Sequence, residues 1–282
     1  MKIAHLILCH SNPSQLERLV KRLLHNDAWI YIHLDNKAAI APFLHLQELP
    51  NVIFVKKRVN VYWGGYSIIQ ATLNGFTEIL ASGLTFDYIN LLSGQDYPIK
   101  STATIHQFLA NNPGKAFMHT LSVEHEWQEA IPRIAKYHLA NVNFPGKYRV
   151  ERLINAVMPK RKLPLALIPV GRSQWFTVTP THIAYIVDYL SSNKQVVDFF
   201  KLSWAPDEMI FQTVLYNSIY KNDIINDNLR YIDWSAGGAS PKVLTMADAA
   251  ALKNSDKLFA RKFNPDVDSA ILDYLDKITF DQ

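Results

Sequence analysis

The chain has 282 residues, enough for one large α/β domain or two small ones, and its 49% hydrophobic and 19% charged content excludes disorder. A net charge of +4, from 29 basic and 25 acidic residues, is too mild to argue for nucleic acid; it suits an anionic small ligand or an anionic membrane surface. The single cysteine, Cys9, excludes an intrachain disulfide and a cysteine-based zinc site, and its apolar neighbours predict a small buried side chain.

In chain order, Lys2–Cys9 reads as a buried first strand. It is too short, and too poor in flanking basic residues, for a signal peptide. Ser14 and Glu17 have capping-box spacing, and Leu16, Leu19, Val20, Leu23 and Leu24 recur at helical spacing. Ala28–Leu34 is a second strand, ending at Asp35. Val52–Val55 is a third strand after a short helical or irregular link. Ser67–Ala81 is a helix, Tyr88–Leu92 a fourth strand and Ser101–Asn111 a short helix. Strands alternating with helices predict a mostly parallel sheet covered on both faces. Right-handed crossovers then gather His10, Asp35 and Ser93-Gly94-Gln95-Asp96 on the rim where such sheets bind ligands.

From about residue 120 to 172 the pattern loosens, with Lys160-Arg161-Lys162 among prolines and aromatics. It reads as an insertion whose default is solvated loop, placed to serve an acceptor or a membrane surface. Trp175–Thr179 is predicted as a strand and Pro180–Ser192 as a helix. Pro206 then sits where a helix begins, with Asp207 and Glu208 in its first turn and the helical run Met209–Leu215 behind. These residues read either as helix-start chemistry favoured by the helix dipole, or as a carboxylate held beside Trp204 as a general base for a sugar hydroxyl. Arg230–Trp234 is a short strand, Gly237-Gly238 a turn, Phe259–Phe263 a strand, and Pro265–Lys277 the last helix. No stretch has the length of a transmembrane helix, so the expectation is a cytoplasmic chain, with room for peripheral contact at the inner face of a membrane.

Several chemistries lack their motif: G-x-G-x-x-G after the first strand, Walker A, H-E-x-x-H and a serine-hydrolase elbow. The one D-x-D match, Asp266-Val267-Asp268, falls at the start of the last helix, where acidic residues are structural. Asp96 alone is a poor magnesium site. Arg230, Arg261 and Lys262 are either ordinary surface cations or fixed charges able to neutralise a diphosphate without a metal.

Five short motifs occur in one order. They are Tyr31-Ile32-His33-Leu34-Asp35, Trp63-Gly64-Gly65-Tyr66-Ser67 with Gln70-Ala71, Leu91-Leu92-Ser93-Gly94-Gln95-Asp96-Tyr97-Pro98, Trp204–Glu208, and Leu258-Phe259-Ala260-Arg261-Lys262-Phe263. The series resembles glycosyltransferase family 14, the core-2/I-branching β-1,6-N-acetylglucosaminyltransferases and peptide O-xylosyltransferases, over roughly residues 3 to 275.

The resemblance implies a GT-A-like (Rossmann-like) α/β fold and inverting, metal-independent transfer from a UDP-sugar, with no cofactor. It implies Glu208 as catalytic base and Arg230 and Lys262 as the cations facing the UDP diphosphate. His10, Asp35, Tyr62, Trp63, Ser93, Gly94, Gln95 and Asp96 match donor-pocket positions. Gly171-Arg172-Ser173-Gln174-Trp175 resembles a segment bordering the acceptor, and Trp204 and Asp207 flank the base on that side. The acceptor is then a hydroxyl of a glycan, glycolipid or peptide. N-acetylglucosamine is the first expectation for the donor sugar and xylose the second. Residues 1–282 are expected to form one domain, with a nucleotide-sugar half over 1–119 and an acceptor-side, catalytic half over 120–282.

Animal members carry an anchor, a stem and several disulfides, and this sequence resembles a bacterial-type member instead. A catalytically silent UDP-sugar-binding protein is the alternative. A hydrolase fits poorly, because adjacent carboxylates on a helix diverge by about 100° and cannot flank one glycosidic bond.

Overall fold

The computed structural model describes residues 1–280. The first half runs β1 (Ile3–Cys9), α1 (Pro13–Leu23), β2 (Ala28–Leu34), β3 (Val52–Phe54), α2 (Ser67–Leu80), β4 (Tyr88–Ser93), β5 (Asp96–Pro98), α3 (Thr102–Ala110) and β6 (Ala116–Phe117). Then come β7 (Thr120–Ser122), α4 (Ile131–Ala135), α5 (Lys147–Val157), β8 (Val170–Arg172), β9 (Thr177–Val178), α6 (Pro180–Ser192), α7 (Lys194–Lys201) and α8 (Ile210–Tyr216). β10 (Ile224–Ile225), β11 (Arg230–Ile232), α9 (Ala249–Asn254), β12 (Phe259–Arg261) and α10 (Ala270–Phe280) close the chain.

Seven strands form the central sheet in the order β10-β6-β9-β4-β1-β2-β3. Every pairing is parallel except those of β9, which runs antiparallel to β4 and β6. The sheet is therefore mostly parallel, as expected, and it takes strands from both halves of the chain. Alternation along β1 divides the core. Ile3 and Ile7 pack with Leu16 and Leu19 of α1 and with Leu272 and Leu275 of α10. Ala4 and Leu6 pack on the other face with Phe76 of α2, Ile183 of α6 and Phe211 of α8.

A smaller sheet, β11-β12-β5, brings the chain's end back to the loop after β4; β12 pairs antiparallel with β5, setting Arg261 opposite Asp96. The first-helix cap differs from the expected Ser14 box. Asn12 is the cap, its side chain accepting from the Gln15 amide at 3.1 Å, and Pro13 opens the helix. The final helix starts at Ala270 instead of Pro265. Asn264 holds a turn through the amides of Asp266 and Asp268, and the Asp268 carboxylate then accepts from the amides of Ala270 and Ile271. The region from 120 to 172 is not plain loop: it contains β7, α4, α5 and β8.

Candidate active site

β1 and β4 run side by side, so their C-terminal ends open on one rim. A cavity of about 330 Å³ lies there, lined by Cys9, His10, Ser11, Asn12, Gln15, Ser93, Gly94, Gln95, Asn264 and Asp266. Four expected donor residues, His10, Ser93, Gly94 and Gln95, thus share one cavity. Gly94 packs closely on Cys9: a Cβ there would lie 3.0 Å from Sγ, so a larger residue would need Cys9 to shift. Cys9 is buried, which pushes its thiol up to about 11 and leaves it an un-ionised wall.

Asp96 lies beneath this loop and is completely buried. It accepts from the Ser93 amide at 2.9 Å and from Arg261 Nε at 2.9 Å. Burial raises its pKa while Arg261 pulls it back down. It is thus a buried anchor for the loop and does not line the cavity.

Asp35 follows β2 on the same rim but belongs to a different cluster. Its carboxylate accepts from the Lys37 amide at 2.9 Å and the Val61 amide at 3.4 Å, and Lys37 Nζ sits 4.8 Å from the Tyr62 ring centre. Asp35, Tyr62 and Trp63 are not among the residues lining the cavity. Trp63 is 66% exposed.

The stretch Trp204–Glu208 does not open an α-helix. Pro206–Glu208 is a single 3₁₀ turn entered through Ala205 in the left-handed region (φ 45°), and Met209 (φ −134°, ψ −41°) separates it from α8. Close packing imposes this break. A Cβ on Gly171 of β8 would fall 2.1 Å from the Glu208 carbonyl oxygen, so only glycine lets that strand pass. The expectation that a long helix dipole acts on Glu208 is replaced by contacts from neighbouring segments.

Those contacts join motifs that are far apart in sequence. The Ala205 amide donates to the Gly64 carbonyl at 2.9 Å, and Trp63 meets Trp204 edge to face at 5.0 Å. Gly64, at φ +71°, lies under the Trp204 ring, where a Cβ would be 2.8 Å from the nearest ring carbon. The Trp204 amide donates to the Arg133 carbonyl at 3.1 Å, and the Arg133 guanidinium pairs with the Glu208 carboxylate. Both members of that pair are about one-quarter exposed, at 27% and 26% of their side chains. Arg133 in turn rests 4.9 Å from the centre of the Trp127 ring.

Asp207 points inward and is buried, with Oδ1 lacking any hydrogen-bond partner. Burial, reinforced by the Glu208 charge, pushes its pKa up to about 7, while Arg133 and Arg261 oppose the rise. An acceptor contact by Asp207 does not fit this placement. Trp175, the other expected acceptor residue, is also buried, with the Arg261 guanidinium 4.6 Å from its ring centre. Trp204, partly exposed, remains the only expected acceptor-side ring with an open edge near Glu208.

Arg230 and Lys262 separate in role. Arg230 is 4% exposed, and its guanidinium bonds Thr177, Asn90 and the carbonyls of Asn228, Leu91 and Phe176. It pins β4, β9 and β11 together, which does not fit the expected contact with a leaving diphosphate. Burial lowers its pKa to about 9. Lys262 is half-buried and has no side-chain partner among the described residues; it lies two residues before the cavity-lining Asn264. Of the D-x-D pair, Asp268 is the helix cap already described, while Asp266 lines the cavity. Among the described residues no group of three or more His, Cys, Asp or Glu is arranged to hold a metal.

Arg133 is the residue sequence reasoning missed. Pro132 marks a helix start beside it, but nothing local signals a partner 75 residues away. Ser11, Asn12 and Gln15 in the cavity were legible only as turn and helix residues.

The mostly parallel α/β sheet thus carries a polar cavity at the ends of β1 and β4. The chain belongs to the Core-2/I-Branching enzyme family, whose model matches residues 3–256. Xylosyltransferase 2 of Homo sapiens is 26% identical over 309 aligned residues, covering 98% of this chain and 33% of the human protein. Xylosyltransferase oxt of Drosophila melanogaster is 25% identical, covering 96% and 33%. The chain thus spans about a third of the length of these relatives. Among solved structures, apo mouse xyloside xylosyltransferase 1 aligns with a TM-score of 0.39 at 8% identity, covering 92% of this chain and 97% of that one. The bifunctional glycosyltransferase WbbM aligns at 0.36 and 10% identity, covering 79% and 38%.

Proposed function

We propose that the chain is a UDP-sugar-dependent glycosyltransferase that inverts the anomeric carbon without a metal ion and transfers to a hydroxyl of a glycan, glycolipid or peptide. Family membership supports the reaction class. The observation that carries the mechanism is the immobilised, partly open carboxylate of Glu208, held by Arg133 and backed by Gly171.

In this reading the acceptor oxygen attacks the anomeric carbon of a sugar whose nucleotide occupies the cavity at the ends of β1 and β4. Its proton passes to Glu208, and the bond from the anomeric carbon to the UDP oxygen breaks. The departing diphosphate is met by Lys262. Arg230 supports the site from within the sheet, through Asn90 and Thr177. A carboxylate fixed beside the acceptor supplies much of its effect through placement.

The test is UDP release with and without acceptor, starting with UDP-N-acetylglucosamine and with UDP-xylose, the sugar in the relatives' names. Glu208→Gln is expected to lose about 10² or more in kcat with the fold intact. Near-normal turnover in that variant would remove Glu208 from the mechanism. Activity abolished by EDTA and restored by Mn²⁺ would overturn the metal-free reading. A UDP-sugar that raises Tm but is never turned over would favour the silent-binder alternative.

A further inference from the structure

Helix α5 is built inside out. Its polar residues Glu151 and Asn155 face the body: Glu151 accepts from the Leu139 amide at 2.9 Å and meets His138 Nδ1 at 3.2 Å, while Asn155 bonds both the amide and the carbonyl of Tyr137 at 2.8 Å. Most of its apolar residues face solvent, Ile154 being half-buried. Tyr148 is 74% exposed, Leu153 64% and Val157 71%, and no residue of the helix is buried. At 100° per residue, Val150, Leu153 and Val157 share one outward stripe, with Arg149 along its border and the exposed Arg152 farther round the same helix.

Charge is concentrated at the same place. Residues 142–168 contain six basic side chains and one acidic, Glu151, a net of +5. The whole chain is +4, so everything outside this segment sums to −1. Arg161 turns inward, to the carbonyls of Lys136, Leu202 and Phe199, but Lys160 and Lys162 stay exposed beside the helix. A second copy of the chain would bring an equally positive patch, so self-association through this face opposes like charges. An apolar stripe edged by Lys and Arg matches the boundary between acyl chains and anionic headgroups.

We infer that α5 is a peripheral docking surface for an anionic lipid bilayer. The stripe enters the headgroup boundary, and Arg149, Arg152, Lys160 and Lys162 meet lipid phosphates. Through Tyr137–Leu139 the helix rests on the segment that follows Arg133, so the docked face adjoins the acceptor side of the proposed site. The surface stands on its own residues, whatever sugar the chain moves.

The test is co-sedimentation of the whole chain with vesicles of phosphatidylcholine containing one-third phosphatidylglycerol, and with phosphatidylcholine alone. The expected result is binding to the anionic vesicles that weakens as salt rises. Leu153→Glu with Val157→Glu, or Arg149→Glu with Arg152→Glu, should each lower partitioning at least about tenfold. These side chains are exposed, so an unchanged Tm shows that the variants fold. Equal binding to both vesicle types, or variants that bind like the parent, would overturn the inference. So would a concentration-dependent dimer that Leu153→Glu dissolves, which would make the stripe an interface between copies.

Discussion

Glu208 is oriented by Arg133, a residue 75 positions earlier that lies in the region with the weakest sequence pattern. Arg133 also offers its backbone carbonyl to Trp204, so one residue holds both ends of the Trp204–Glu208 turn. Arg133→Ala removes the side-chain hold but keeps the carbonyl. We expect kcat to fall by about 10- to 100-fold, the scale of a misplaced catalytic group, with UDP binding retained. Single-turnover rates alongside UDP titration by calorimetry check this. Equal losses in both would place Arg133 in the donor site instead.

Gly171 and Gly83 separate local strain from a close approach. Gly83 has φ +75° but open space around it, whereas Gly171 faces the Glu208 carbonyl. Gly83→Ala should cost about 1 kcal/mol of stability and no activity. Gly171→Ala must move the Glu208 turn, at a cost of roughly 2–3 kcal/mol, and lowers kcat as well. Thermal melts and initial rates on both variants give the comparison.

Arg230→Ala and Lys262→Ala should fail in different ways. Removing the buried guanidinium takes one donor each from Asn90, Thr177 and the carbonyls of Asn228, Leu91 and Phe176 and opens a buried gap among β4, β9 and β11, at roughly 3 kcal/mol or more. Removing Lys262 should leave Tm nearly unchanged and lower kcat by about 10². A Lys262→Ala protein that is active but unfolds early would reverse these roles.

Asp207 gives a pH signature with a defined sign. Its carboxyl titrates near 7 in the folded chain against an ordinary 3.8. Between those values the folded state holds a proton that the unfolded state has released. Its destabilising contribution therefore grows as pH rises from about 4 and is complete above about 7. Asp207→Asn should raise Tm at pH 8, and the gain should vanish near pH 4.

His5 works the opposite way. It is buried against Asn90, and burial lowers its pKa to about 3. Below the ordinary 6.5 the unfolded chain takes up a proton that the folded chain refuses, so stability falls by about 1.4 kcal/mol per pH unit down to about pH 3. His5→Gln should flatten this acid slope. His106, lowered to about 4, keeps its own share. Urea unfolding at several pH values separates the two.

Long periodic elements were legible in the sequence. β2 and α6 match their expected limits, because a seven-residue run of mostly apolar residues or thirteen amphipathic residues carry their own pattern. In the smaller sheet, β11 and β12 fall within the strands expected at Arg230–Trp234 and Phe259–Phe263, whereas β5 is too short to show a period and exists through its pairing with β12. α5 was legible but passed over: Val150, Leu153, Ile154 and Val157 recur at helical spacing inside a region read as loop. In the site, His10 and Ser93–Gln95 at the ends of the adjacent strands β1 and β4 share one cavity, since topology gathers them, while Asp35 at the end of β2 sits in a separate cluster. Arg230, Trp175 and Asp207 do not line that cavity, because residue type does not reveal whether a side chain turns toward a cavity or into the core.

The antiparallel insertion of β9 between β4 and β6 also governs how the chain can be made. On the ribosome, β4 emerges roughly eighty residues before the strand that covers its edge. Until Thr177 and Val178 arrive, the nascent sheet offers an open, apolar border to any neighbouring chain. A fragment ending at residue 119 would keep that border permanently, and its expected fate is aggregation, not a small nucleotide-binding module.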